Sequence, residues 1–275
     1  MADGLAAGRK DDEAFSPPPA RGTSALRAYA SASITDLRFF GFICDTVVSS
    51  DYVAYIARQA LDGVKPKEKE PGELAKSAPG TRTIFLRQNS QALLEMFIAR
   101  LVDNFQKYLV DLIREILRSK PTMLSTKLQT MTLEDVLKHD SIEGLVHDVI
   151  ERRVNTLSYD GFADLEKWCA DRGIQIKVMP SRRNSIVELI STRNIIAHNR
   201  GFVDERYLRS VRNAKFNVGD CRKLDVDDLF HGMKLLNEVV FETDSKARRK
   251  FGLASVEVRP RKKAKKPAKE ISVAQ

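Results

Sequence analysis

Between Thr83 and Arg118 the apolar residues Leu94, Ile98, Leu101, Phe105, Tyr108, Leu112 and Ile116 recur at alternating steps of three and four. That spacing lays them along one stripe of a helix, and Pro121 enforces a stop just beyond it. The helix is long enough to be the spine of a bundle. A second helical pattern runs from Thr35 to about Leu61, with Leu37, Phe40, Ile43, Val47 and Ile56 among its apolar positions. Thr132, with Asp135 three residues on, reads as the cap of a short helix, and Ser141 opens another that carries Ile142, Leu145, Val149 and Ile150. Phe162–Ala170 is a further short helix closed by Gly173, after which Ile174, Ile176 and Val178 alternate as a brief extended stretch. Pro180 and Ser181 precede a helix through Ile186, Leu189, Ile190 and Ala197, with Gly201 as its stop. The last major helix starts near Asp225 and places Leu229, Met233, Leu236 and Val240 on one face, while Asp227 and Asp228 suit its N-terminal dipole. There is no internal repeat and no hairpin signature. The expected fold is all-α, a helical bundle with flexible N- and C-terminal tails.

Composition divides the chain further. Residues 1–24 are Ala, Gly, Pro and charge, and read as a disordered N-terminal segment. Residues 25–254 form the helical domain, its core at about 83–250, with 62–80 as an exposed connector rich in Lys, Glu, Pro and Gly. Residues 255–275 read as a basic disordered tail. The net charge of +9 is not spread evenly: residues 246–275 hold eleven Lys and Arg against Glu257 and Glu270, so the remaining chain is neutral. Lys262, Lys263, Lys265 and Lys266 in that tail are candidate RNA contacts by electrostatic tethering. Cys44, Cys169 and Cys221 are odd in number and widely spaced, which fits ordinary thiols of a reducing compartment. The N-terminus lacks the apolar core of a signal peptide, and no apolar run approaches a membrane span, so the expectation is a cytoplasmic protein without a membrane partner.

One helix carries chemistry. At 100° per residue Arg193 falls in the same arc as Ile186, Ile190 and Ala197. A guanidinium there is costly unless it is paired with a carboxylate, reaches water past its own stem, or faces an anion. His198 follows five residues later, in the last turn, where the helix dipole favours a cation. Imidazole exchanges protons near neutrality, as acid–base catalysis needs. From Arg182 to Lys223 ten basic residues face four acids, and Arg200, Arg206, Arg209 and Arg212 among them are candidate RNA contacts. Tyr207 and Phe216 have the chemistry to stack on bases.

The run Thr192-Arg193-Asn194-Ile195-Ile196-Ala197-His198 resembles the Rx4H signature of the HEPN superfamily, and RNIIAHNRGFVDERYL over 193–208 resembles the flanks of that motif in bacterial members. The resemblance implies an all-α bundle of HEPN type, with Arg193 and His198 as catalytic pair and Asn194 as polar neighbour of a metal-independent ribonuclease. It also implies a homodimer that brings two motifs into one cleft, and a toxin or defence role with an antitoxin or defence-system partner protein. Some toxin members carry a modifiable Tyr two residues after the His; Arg200 stands there, which argues against that mechanism. No cofactor is required, and His139, His147 and His231 lack the spacing of a zinc site. The alternatives are a non-catalytic module that holds nucleotide or RNA through the same pair, and a dimeric adaptor whose tail supplies the affinity.

Overall fold

The structure, a computed structural model, describes residues 16–65, 69–124, 131–159 and 161–259. In chain order the helices are α1 (Ser24–Leu61), α2 (Pro71–Ser77), α3 (Thr81–Gln88), α4 (Ser90–Ser119), α5 (Leu133–Leu137), α6 (Ile142–Tyr159), α7 (Phe162–Asp171), α8 (Pro180–Asn199), α9 (Glu205–Ser210) and α10 (Val226–Phe251). Two short antiparallel strands, β1 (Arg21–Gly22) and β2 (Val256–Glu257), join the ends of the described chain. The chain is an all-α bundle.

The spine is α4, and α1, α6, α8 and α10 all pack on it. The seven stripe residues are all buried, and so are Phe97, Val102, Leu109 and Ile113 between them and Leu117 just after. Four surrounding helices bury most of the surface of α4 and leave one exposed strip along Met96, Arg100, Asp103 and Lys107. The single helix expected over Thr83–Arg118 is two: it breaks at Asn89, whose side-chain amide donates to the Phe85 carbonyl at 2.8 Å and stops α3 one residue before α4 begins. The cap read at Thr132 is in place, and the helix expected to start near Asp225 begins at Val226 with Asp225 as its cap. Thr132 accepts from the Asp135 N–H at 3.1 Å, and Asp225 and Asp228 form a reciprocal capping box. Ile174–Met179 is irregular rather than a strand, fixed by the Lys177 N–H donating to Thr243 Oγ1 at 2.9 Å.

Three boundaries differ from the sequence reading. Helix α1 starts at Ser24, not Thr35, because Ala25, Leu26, Tyr29, Ala30 and Ser33 form a buried face at helical spacing. Residues 20–23 are likewise placed. Thr23 caps α1 by accepting the Leu26 N–H at 3.0 Å, while its hydroxyl and N–H both donate to the buried Asp244 of α10. The segment after 254 is structured as far as Val258, through β2. The disorder expected for the remaining ends, 1–15 and 260–275, lies outside the described residues. The connector 62–80 holds helix α2, with Pro71 at its first position and Leu74 buried.

Contrary to the expectation that no segment approaches a membrane span, α1 is 38 residues long and apolar enough to cross one by length and composition. Its first turns belong to the core, and it also packs against α2 and α3. There Asp51 does the work of a missing cap. The N-cap of α3 is Gly80, which has no side chain, and the Asp51 carboxylate instead accepts the Thr83 N–H at 2.7 Å and the Arg82 N–H at 3.3 Å. A Cβ at Gly80 would lie inside that carboxylate, so glycine is demanded by close approach.

Candidate functional site

Helix α8 lies along α4, and its C-terminal end determines where the motif sits. Pro180 occupies its first turn, and the helix closes with Arg200 and Gly201 both left-handed, at φ 52° and 79°. The Gly201 N–H donates to Ile195 O at 3.0 Å and the Phe202 N–H to Asn199 O at 2.9 Å. Beneath this end is a second, small core of Ile195, Val203, Tyr207 and Val211, with Phe216 packed on it. The loop that follows is tied down by backbone bonds: Val203 N to Asp220 O and Gly219 N to Val203 O, both 2.8 Å. The last turn of α8 is therefore held from below by its own downstream chain.

Arg193 is paired. Its Nε donates to Asp103 Oδ1 of α4 at 2.7 Å, and its Nη1 to Asn194 Oδ1 at 3.3 Å. Of the readings open at the sequence level, the carboxylate partner is the one present, although Asp103 is exposed and not a core residue. The arc does not continue as an apolar stripe: Ile186 and Ile190 are buried, but Ala197 is exposed, since the last turns of α8 rise clear of the core. Nη2 of Arg193 has no hydrogen-bond partner among the described residues, and the side chain as a whole keeps about a quarter of its surface in solvent. His198 is exposed and makes no hydrogen bond or ion pair among the described residues. Five residues of helix turn it about 140° from Arg193. The structure thus joins Arg193 to Asn194 and leaves His198 apart within one chain.

The local positive excess is smaller than the sequence count. Arg182 pairs with Glu238, Arg183 with Glu166, and Arg222 with Asp228 at 3.2 Å and Glu188 at 3.7 Å. Arg200, Arg206 and Arg212 are exposed without an ion pair among the described residues, while Arg209 is bridged to Glu205 at 3.4 Å within α9. Lys262, Lys263, Lys265 and Lys266 lie outside the described residues. Base stacking by Tyr207 is overturned: the ring is buried in the small core, edge-on to Phe216, and burial pushes its hydroxyl pKa up. Phe216 in turn lies under the Arg222 guanidinium, 5.1 Å from ring centre.

No family model, curated protein or solved structure matches the chain.

A feature that sequence reasoning missed is a cleft of about 490 Å³ between α8 and α10, lined in part by Glu188, Leu189, Thr192, Arg222, His231 and Leu235. Its lining sets Arg182, Arg222 and Lys234 against Glu188, Asp228 and Glu238, so the cleft has no positive excess to offer a phosphate. It is formed by residues of three separate segments, and no local spacing signals it. Among the described residues no group of three or more His, Cys, Asp and Glu is placed to hold a metal. His139 faces Asp148 at 3.6 Å, and His231 Nδ1 lies 3.0 Å from the Asp227 carbonyl. The thiols of Cys44 and Cys169 are buried, which raises their pKa to about 11 and about 12, far from a reactive thiolate.

Chemically, one copy offers a guanidinium anchored at two nitrogens with the third free, and one unpartnered imidazole at the helix end. Transesterification of RNA needs a base, an acid and a cation near the phosphorane. One chain supplies one proton-transfer group and one cation; two chains supply the full set.

Proposed function

We propose that the chain is a metal-independent RNA endonuclease of HEPN type, acting as a two-fold homodimer. The observation that carries this reading is Arg193, fixed by Asp103 and Asn194 with Nη2 free, on the same exposed helix end as an unpartnered His198. The preorganised guanidinium would bind a non-bridging oxygen of the scissile phosphate. His198 of one copy removes the proton of the ribose 2′-OH as its oxygen bonds to phosphorus. The bond from phosphorus to the 5′-oxygen breaks, and His198 of the other copy protonates that leaving oxygen. The products are a 2′,3′-cyclic phosphate and a 5′-hydroxyl. Arg200, Arg206 and Arg212 would hold the flanking backbone, and a toxin or defence role with a neutralising partner follows from the family resemblance alone.

A second reading, a module that binds RNA or nucleotide without cutting, is favoured by the separation of Arg193 from His198 and by the Asp103 carboxylate on the guanidinium. Incubation of single-stranded RNA with the protein in EDTA separates the two. Cutting by the wild type that falls at least about a hundredfold in both Arg193→Ala and His198→Ala supports catalysis. Retention of RNA without cutting supports the binding module, and His198→Ala that cuts at the wild-type rate overturns the proposal.

A further inference from the structure

The inner face of α1 is filled by the core, but its outer face is bare. Phe39 and Phe42 are 55% and 63% exposed. Thr35, Arg38, Asp45, Thr46 and Ser49 around them are exposed as well. At 100° per residue Phe42 is the midline of this face, with Arg38 and Asp45 on one flank and Phe39 and Thr46 on the other. Met96 of α4, 59% exposed, extends the Phe39 flank, since Phe39 lies 6.3 Å from the Phe97 ring and Asp36 is bonded to Arg100. An exposed apolar patch rimmed by charge marks an interaction surface.

Arg38 and Asp45 identify what fits it. They stand seven residues apart, about 10 Å along the axis, too far to meet within one helix, and neither has an ion-pair partner among the described residues. A two-fold axis through Phe42, perpendicular to the helix, reverses α1 along its own length. Arg38 of one copy then comes level with Asp45 of the other on the same flank, and the symmetry makes that pair twice. Phe42 meets its own counterpart, Phe39 meets Thr46, and the small residues Thr35 and Ser49 let the helices approach to the usual 8–10 Å or so. A lipid surface does not fit as well, because it would take Arg38 and Asp45 out of water beside Phe42 with nothing to neutralise either. We propose that a second copy of this chain docks antiparallel along the outer face of α1, with Phe42 on the two-fold axis and Arg38 of each copy paired with Asp45 of the other.

This surface is argued from α1 and its flank, and rests on the ribonuclease reading only for the expectation of two-fold symmetry. It is tested without RNA, by sedimentation equilibrium of the full chain. The wild type should associate as a dimer in the micromolar range or tighter. Arg38→Glu and Asp45→Arg should each weaken the dimer about tenfold or more, and combining them, which exchanges the charges, should restore it. Phe42→Ala should weaken it similarly with unchanged helical circular dichroism. A wild-type monomer overturns the proposal, whether free or bound to vesicles of phosphatidylcholine and phosphatidylserine. So do single reversals without effect, or a double variant as weak as either single. An intact, charge-dependent dimer that does not cut RNA supports the surface and overturns the catalytic reading alone.

Discussion

Asp244 and Thr23 carry more of the stability than their size suggests. The Asp244 carboxyl is buried and its pKa is raised by that burial, against the lowering effect of the Thr23 hydroxyl and N–H. Glu115, half-buried nearby and accepting the Ala25 N–H at 2.7 Å, is raised for the same reason. A carboxyl whose pKa is higher folded than unfolded favours the native state below its unfolded value, and loses that contribution as pH rises through its folded value. Thermal unfolding should therefore show a component that declines as pH increases above about 4, and Asp244→Asn should flatten it. Thr23→Val removes the hydroxyl donor to Asp244 and the cap on the Leu26 N–H while keeping the backbone N–H donor, and should cost about 2–3 kcal/mol in urea denaturation. Arg200, a non-glycine residue at φ 52°, is the opposite case: Arg200→Gly should raise stability by up to about 1 kcal/mol, a gain a denaturation curve would register. The residue types at 193 and 198 were legible in the sequence. The partner Asp103 was not, being 90 residues away on another helix, and only packing of α8 on α4 brings it there.

Among the elements, those with a strong one-sided period were read best. The α4 stripe, the cap at Thr132 and the helix start near Asp225 depend on neighbours within a few residues, and such signals survive in a bare sequence. The start of α1 was missed because alanine and serine over 25–33 look like low complexity, yet Ala25, Leu26, Tyr29, Ala30 and Ser33 fall on one face and are buried. The break at Asn89 and the cap of α3 were illegible for a different reason. Asp51, which serves that cap, lies 32 residues before Thr83, on α1. Asp51→Ala should fray α3 and cost about 1–2 kcal/mol. Gly80→Ala should cost about 1–3 kcal/mol by driving a methyl into the same carboxylate. The two losses should not add, because removing the carboxylate also removes the clash; a double-mutant cycle measures the difference.

At the scale of the whole molecule, the charge is segregated. The tail beyond Arg259 contributes cations that the folded part, with many of its Arg residues already bridged, does not. On the proposed ribonuclease reading, deleting 260–275 should lower RNA affinity and flatten its dependence on salt, by about one unit of logarithmic slope for each phosphate left unneutralised, while leaving any His198-dependent cleavage unchanged. Trimming instead to Ser24 is expected to destabilise the bundle, since it removes β1 and Thr23. The β1–β2 pairing has a topological corollary. With Arg21 opposite Glu257, the described chain between those residues is nearly a closed ring. A circular permutant sealed across that pairing and reopened in the exposed turn at Lys138–Asp140 would keep every helix intact, and would move both free ends far along the chain from the clasp.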